Sequence, residues 1–278
     1  MNAHESLAPV LRVTADRRVA EINCGDGIVA AIAFYPPSSR QHLHSHTFSE
    51  VSFVLAGAVL ERLEGVAHEL HTGSVGHKPA GSRHEDLWGR EGALIFSIKL
   101  PTSAPEVTAP EGWGLHGASK AVSALIKTCL LAPTIASRGE AVCDLLAISH
   151  RRQERSGSQT PSWVEAVRCR IDDAPDEVAI AKLAEEAGVD RTHLSREFHR
   201  CFGMPPSVYR RQVLAARAVQ ALSQQQQRFS AVAAHAGFSD QAHMNRTLQG
   251  QVGMSPGQLR RLFSNHITSI QYRSGTVG

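Results

Sequence analysis

Residues 236–256 read AGFSDQAHMNRTLQGQVGMSP, and this stretch decides the fold of the C-terminal third. A run of small residues (Ala233, Ala234, Ala236) stops at Gly237, and a second run begins at Ser239 with Met244, Leu248 and Val252 at intervals of four. A glycine at the C′ position takes the left-handed conformation that ends a helix. A serine or aspartate caps the next one. Residues four apart share a helix face, so the three apolar side chains form one buried stripe. The pattern therefore predicts a short helix over 230–236, a tight turn and a second helix.

The same text occurs about fifty residues earlier. Ser195-Arg196, Gly203-Met204, Pro206 and Arg210-Arg211 correspond to Asn245-Arg246, Gly253-Met254, Pro256 and Arg260-Arg261. The earlier copy predicts a short helix over 180–187, Gly188 as its stop, Asp190 as the next cap, and Leu194, Phe198 and Phe202 as the buried stripe. Each copy is a helix-turn-helix, and Pro205–Ser223, rich in Ala, Leu and Arg, joins the two.

The faces left outside carry Arg191, Thr192, Ser195, Arg196 and Arg200 in one copy, and Gln241, Ala242, Asn245 and Arg246 in the other. Arginine forks onto guanine, asparagine and glutamine onto adenine, and threonine or alanine meets the thymine methyl. Arg210, Arg211, Arg260 and Arg261 extend the basic set toward phosphates. Charge agrees with this. From Gly188 onward there are eleven arginines, no lysine and three acids, a net +8 inside a chain whose net charge is +3. A basic segment of this kind predicts double-stranded DNA as the partner.

This C-terminal part, residues 163–264, resembles the DNA-binding domain of AraC/XylS-type transcriptional regulators. The resemblance implies two helix-turn-helix units joined by a long helix. It also implies that Thr192, Ser195 and Arg196 face bases in the first unit, and Gln241, Ala242, Asn245 and Arg246 in the second. Met244 and Leu248 stand where that family usually has phenylalanine.

The first hundred residues read differently. Apolar and β-branched stretches (28–34, 51–55, 59–63, 93–98) alternate with turn signals at 24–27, 36–39 and 72–74, which predicts a sandwich or small barrel. Seven of fifteen histidines lie between His42 and His84. His44, His46 and Glu50 fall in the spacing HxHx3Ex6G ending at Gly57, and Gly73, Pro79, Gly81 and His84 in Gx5PxGx2H. Positions 44 and 46 share a strand face, and 50 shares it if the strand runs on unbulged. The glycines suit tight turns. His42, His71 and His77 read as groups behind the ligands or, by default, as solvated surface residues, and Glu85 and Asp86 read equally as acid–base groups beside His84 or as an exposed turn.

The two spacings resemble the signature motifs of the cupin barrel. That resemblance implies a metal held by His44, His46, Glu50 and His84, and this donor set suits a divalent transition metal: Ni, Zn, Co, Mn or Fe. Trp88 departs from the family pattern, which usually has asparagine there.

The expected architecture is α+β and multidomain: a cupin β-barrel (a double-stranded β-helix) over 1–105, a helical linker over 106–160, an all-α twin helix-turn-helix domain over 161–266, and a tail over 267–278. Proline-rich 101–112 and the segment 156–161 read as connectors, and 118–155 as a helical hairpin or dimer surface. The function expected is a non-enzymatic transcription regulator, homodimeric, whose barrel senses a metal or small-molecule effector and which meets DNA and RNA polymerase. The alternative is a metal-dependent cupin enzyme, a dioxygenase or isomerase, fused to a DNA reader. No apolar run reaches membrane-spanning length. The opening residues lack a basic region followed by an apolar core, and the five cysteines form no CxxC pair, so a cytoplasmic protein without a disulfide scaffold is expected.

Overall fold

The structure is a computed structural model and describes residues 10–14, 17–102, 112–115, 120–150, 160–224 and 227–264. Most of both expected connectors and the C-terminal tail lie outside these residues. The described N-terminal part is one antiparallel sheet of β1 (Val10–Thr14), β2 (Arg17–Gly25), β3 (Ile28–Tyr35), β4 (Arg40–His44), β5 (Ser49–Leu63), β6 (Val66–His71), β7 (Ser74–Lys78), β8 (His84–Leu100) and β9 (Gly112–Leu115). The order is β1-β2-β3-β8-β5-β7-β9, with β4 paired to β8 and β6 paired to β5.

Two long bent strands organise it. The C-terminal half of β8 pairs with β3 and its N-terminal half with β4, while β5 pairs with β8 along both halves. The stretches 51–55 and 59–63, expected as separate strands, are the two arms of β5. They meet at Gly57, where the register against β8 slips. There the backbones come so close that a Cβ on Gly57 would lie 2.0 Å from the Gly92 carbonyl, and one on Gly92 would lie 2.3 Å from the Tyr35 carbonyl. Both glycines have positive φ, at 83° and 69°. Gly57 therefore makes a barrel corner rather than a turn.

Alternation along the strands sorts side chains to two faces. Glu21, Ala31, Ala33, Glu50, Ser52, Ser97 and Lys99 line an internal cavity. Their sequence neighbours Ala20, Ile22, Ala30, Ile32, Val51, Phe53, Phe96 and Ile98 face outward into an apolar core. Helices cover that outer face, which is why 28–34 reads as a continuous apolar run. Among them are α1 (Lys120–Leu131) and α2 (Ile135–His150), which pack on each other and on β2. The expected hairpin is thus present, and its apolar face (Val122, Ile126, Cys129, Val142, Leu145) is buried against this chain's own barrel.

The C-terminal part comprises α3 (Ser162–Asp173), α4 (Ile180–Glu186), α5 (Arg191–Phe202), α6 (Pro206–Ser223), α7 (Phe229–His235), α8 (Gln241–Gln251) and α9 (Pro256–Ser264). The predicted stripes are buried in both copies: Leu194, Phe198 and Phe202, then Met244, Leu248 and Val252. Burying a side chain of this size stabilises the fold by about 1.5–3 kcal/mol. Gly188 and Gly237 have φ of 67° and 85° and end α4 and α7 as expected. Asp190 caps α5, accepting from the amides of Thr192 and His193. The second cap differs from expectation. Asp240, not Ser239, accepts from the His243 amide, and the Ser239 hydroxyl donates to Asp240 instead.

Helix α6 also lies on the barrel, against β5 and β8. The Arg217 Nε donates to Glu91 at 3.0 Å, Arg90 pairs with Asp173, and the Ser123 hydroxyl donates to the Gln251 carbonyl at 3.2 Å.

Candidate metal centre and nucleic-acid interface

His44 ends β4 and His84 begins β8, and the two are register partners across the pair. Their ring centroids are 4.1 Å apart, and His46 lies 4.9 Å from His44 and 5.2 Å from His84. One ring nitrogen from each fits within 4.8 Å of the others. The His44 Nδ1 lies 2.7 Å from the His42 carbonyl, so it carries the proton and Nε2 keeps its lone pair. That Nε2 is buried without a hydrogen-bond partner. Burial pushes the pKa of His46 and of His84 down to about 4, against the pull of Glu50 on the first and Glu61 on the second. Two imidazoles whose pKa burial lowers, beside a third with an unpartnered buried Nε2, fit a divalent metal.

Glu50 lines the same cavity as His46 and His84 and its charge acts on His46, but it is not in the group of ligand atoms within 4.8 Å of one another. The chain leaves strand geometry between His44 and Ser49, so the odd–even count that placed residue 50 with 44 and 46 is lost. Glu50 accepts from the Ser52 hydroxyl at 2.6 Å and lies 3.5 Å from Lys78 Nζ. Burial would raise its carboxyl, but Lys78, the Ser52 bond and His46 outweigh it and lower the pKa to about 2.

The internal cavity beside the histidines has a volume of about 290 Å³. Sequence reasoning missed much of its polar lining. Lys78 Nζ donates to Glu61 at 3.0 Å, the Trp113 indole also donates to Glu61, and Asp86 is buried with its carboxyl pushed up by desolvation. Glu61, His84 and Asp86 form a second group of close ligand atoms. Asp86 is thus an interior residue and not part of an exposed turn, because it shares the inward parity of His84 and Trp88 on β8. Glu85 points outward, bridged to Arg40 and Arg62. A signal for Glu61 existed: in VLERL it alternates in step with Val59 and Leu63. His42 is exposed as expected, but His71 and His77 are buried, each 5% exposed. His71 packs edge-on against Phe202 and Tyr209 of the helical part.

In the helical part, Arg191, Thr192, Arg196 and Arg200 are exposed on α5 and Ser195 is half-buried. Arg200 pairs with Glu197 at 2.9 Å. On α8, Gln241, Ala242 and Arg246 are exposed and Asn245 is half-buried, matching Ser195. Arg211 and Arg261 are exposed. Arg210 and Arg260 are half-buried and make contacts within the chain. Arg210 donates to the Pro175 carbonyl, and Arg260 donates to the Gln227 carbonyl at 2.6 Å while lying 4.0 Å over the Phe229 ring. Each guanidinium ties the last helix of its unit to the chain just ahead of the first, so both hold the fold.

Residues 183–262 match the family described as a helix-turn-helix domain. No curated protein matches the sequence. Among solved structures, Bacillus subtilis oxalate decarboxylase, described with Mn(II) centres, is 17% identical over 35% of this chain and 29% of its own, with a TM-score of 0.32. KdgF from Halomonas sp. is 16% identical over 33% of this chain and 86% of its own, with a TM-score of 0.30. The chain thus spans under a third of the decarboxylase, and at these scores neither likeness says anything about activity. Within the described residues no helix is long and apolar enough to cross a membrane. The duplicated units with their outward arginines lie in the matched region, so residues 183–262 are a helix-turn-helix domain, which supports a DNA-binding transcription regulator, and an antiparallel sheet precedes that domain in the chain.

Proposed function

We propose that the barrel is a sensor, with the cavity beside His44, His46 and His84 as its effector site, and that α5 and α8 read two successive stretches of major groove. The duplication carries this reading. Arg196 and Arg246 stand at matching, exposed positions of two helices that each follow a left-handed glycine turn. Thr192, Ser195, Gln241, Ala242 and Asn245 supply base contacts, and Arg191, Arg200, Arg211 and Arg261 supply phosphate contacts. In domain terms the sensor spans 1–105, the hairpin region 106–160 and the DNA reader 161–266. A homodimer that contacts RNA polymerase belongs to the same reading.

The three histidines would hold Ni, Zn, Co, Mn or Fe, and such an ion offers open coordination positions to a carboxylate or carbonyl effector. Charge supports a cation. Glu21, Glu50 and Glu61 line the cavity as carboxylates against Lys78 and Lys99, with Asp86, whose carboxyl desolvation pushes up, as a fourth acid. A divalent ion balances the excess.

The test is fluorescence anisotropy of the full chain on DNA from upstream of its gene, at fixed salt, with and without Mn, Ni or Zn. Arg196→Ala and Arg246→Ala should each weaken binding by about 1–3 kcal/mol. If both bind like the parent, with unchanged circular dichroism, the reading is wrong. The enzyme alternative draws on one observation, the Glu61–Asp86 carboxyl pair beside His84. Metal-dependent turnover lost in Asp86→Asn would favour it.

A further inference from the structure

The two helix-turn-helix units are copies in their fold but not in the side chains they turn outward. Arg191, Thr192, Ser195 and Arg196 of α5 stand 50 residues before Gln241, Ala242, Asn245 and Arg246 of α8. Burial matches position by position: the first, second and fourth of each set are exposed and the third is half-buried. The supports behind them match as well. Leu194 and Phe198 are buried in one copy, Met244 and Leu248 in the other, and Asp190 or Asp240 accepts from first-turn amides of its helix. Each copy is therefore a control for the other: where the outward faces differ, the scaffold does not account for it.

The faces differ in kind. Besides the shared arginine, α8 turns out three carboxamides, Gln241, Asn245 and Gln249, and a bare methyl at Ala242. Helix α5 has no carboxamide. It carries Arg191 and Arg200 besides Arg196, with the hydroxyls of Thr192 and Ser195 between them, and Glu197 holds Arg200 at 2.9 Å. A carboxamide donates and accepts along one planar edge, so it pairs bidentately with adenine and with no other base. Hydroxyls pair with either kind of base edge, and an arginine on phosphate carries no sequence information. The N-terminal half of a recognition helix meets the bases, which selects Gln241 and Asn245 over Gln249. These two are four residues apart, about 6 Å along the axis. At about 3.4 Å per base pair they meet bases about two steps apart. The small Ala242 beside them leaves room for a thymine methyl.

We propose that the units divide the recognition. Helix α8 reads two adenines about two base steps apart, next to the guanine read by Arg246, whereas α5 reads one guanine through Arg196 and otherwise grips the backbone. This rests on the DNA-reading proposal above and names the sequence that such reading selects. The carboxamides also sit on the helix whose apolar stripe shares a core with the barrel, a rigid mount of the kind directional hydrogen bonds require.

The test is selection by the full chain, at fixed salt, from a pool of randomised duplexes, followed by anisotropy on the enriched site. We expect two blocks with centres about 10 bp apart. One holds two adenines beside a guanine, and the other a single fixed guanine. Changing either A·T pair to G·C should weaken the parent by about tenfold. The same change should leave Gln241→Ala or Asn245→Ala no weaker at the position whose carboxamide is gone. The triple variant Gln241→Arg, Ala242→Thr, Asn245→Ser gives α8 the outward side chains of α5. It should erase both adenines from the enriched pool, keep both guanines and steepen the salt dependence by about one phosphate contact. Arg191→Ala should make that dependence shallower by the same amount with the enriched sequence unchanged. If the triple variant does not fold, Asn245→Ala decides alone, since it must lose one adenine and keep the rest. Blocks without the adenines, adenines that persist in the triple variant or in Asn245→Ala, or adenines lost in Arg191→Ala overturn the inference and leave the DNA reading standing. A pool without any enriched sequence overturns both.

Discussion

Arg217 joins three elements, and its removal has a calculable cost. From α6 its Nε reaches Glu91 at 3.0 Å, and its Nη2 donates to the carbonyls of Asp172 and Asp173 at 2.9 and 3.1 Å. Those carbonyls close α3, where the last turn lacks helical partners. Glu91 sits on β8 beside the barrel corner, so the one guanidinium ties barrel, α3 and α6. Its side chain is 21% exposed and that of Glu91 19%, which places the pair between surface and interior. Hydrogen bonds to charged groups contribute about 1.5–3 kcal/mol each when well buried, and solvent screening moves these toward the low end. Arg217→Met, which keeps the apolar stem, should therefore cost about 3 kcal/mol in all. The coupling to Glu91 should account for about 1–2 kcal/mol of that in a double-mutant cycle with Glu91→Gln. In a chain of this size the single variant should melt about 6–12 °C lower. Urea unfolding of parent, both single variants and the double variant measures the coupling, and exposed Arg211→Met on the same helix is the control, expected within about 0.5 kcal/mol of the parent. A coupling below about 0.3 kcal/mol would refute the claim that this ion pair docks the helices on the barrel.

Further outcomes follow from single features. Gly57→Ala places a Cβ 2.0 Å from the Gly92 carbonyl and should cost more than about 3 kcal/mol. Gly65→Ala, also at positive φ but with nothing within 4 Å, should cost only about 1–2 kcal/mol, and equal denaturation midpoints for the two would contradict the corner assignment. Metal content after dialysis should fall to background in His44→Ala and His84→Ala but persist in Glu50→Gln, because Glu50 is held by Ser52 and Lys78 and not in the histidine group; loss in Glu50→Gln alone would restore it as a ligand. Ellman's reagent at pH 8 should label Cys143 and Cys169 quickly in the native protein and leave Cys24 and Cys129 unreacted until denaturant is added. Burial pushes the Cys129 thiol up to about 12, so its thiolate is scarce at any pH below that, and rapid native labelling at pH 8 would disprove its burial.

What could be read from the sequence depended on how local the signal was. The duplicated units were legible because glycine stops, caps and apolar stripes are all set within fifteen residues, and every stripe residue proved buried. The histidine trio was legible because His44, His46 and His84 all fall in the two motif spacings, although His46 lies just past the end of β4. The placement of Glu50 was less legible, because the four residues after His44 break the strand and reset the parity that spacing alone assumes. Glu61 and Lys78 drew no reading and Asp86 read as part of an exposed turn, since a charged residue in a sequence does not show which neighbours will neutralise it. The contacts that Arg210 and Arg260 make within the chain were hidden for a related reason. A guanidinium that forks onto backbone carbonyls and one that forks onto phosphates have the same sequence context, and only the fold shows that the carbonyls of Pro175 and Gln227 are within reach.

The two helix-turn-helix units are held unequally, and the difference bears on how the barrel could act on DNA. The second unit shares one apolar core with the outer face of the barrel: Phe263 meets Phe34 with ring centroids 6.2 Å apart, and Met244, Leu248 and Leu259 belong to the same cluster as Ile32 and Phe96. The first unit has its own core around Phe198, Ile171 and Tyr209. It meets the barrel through ion pairs, the edge contacts of His71 and the walls of a cavity of about 580 Å³ that both parts line. A continuous apolar core resists displacement, whereas a polar interface around a cavity admits small rigid-body shifts at low cost. Helix α6 runs through both cores, with Tyr209 in the first and Leu214 to Leu222 in the second. The first unit therefore meets the barrel mainly by way of α6 and α3, whereas the second is joined to it by one continuous apolar core.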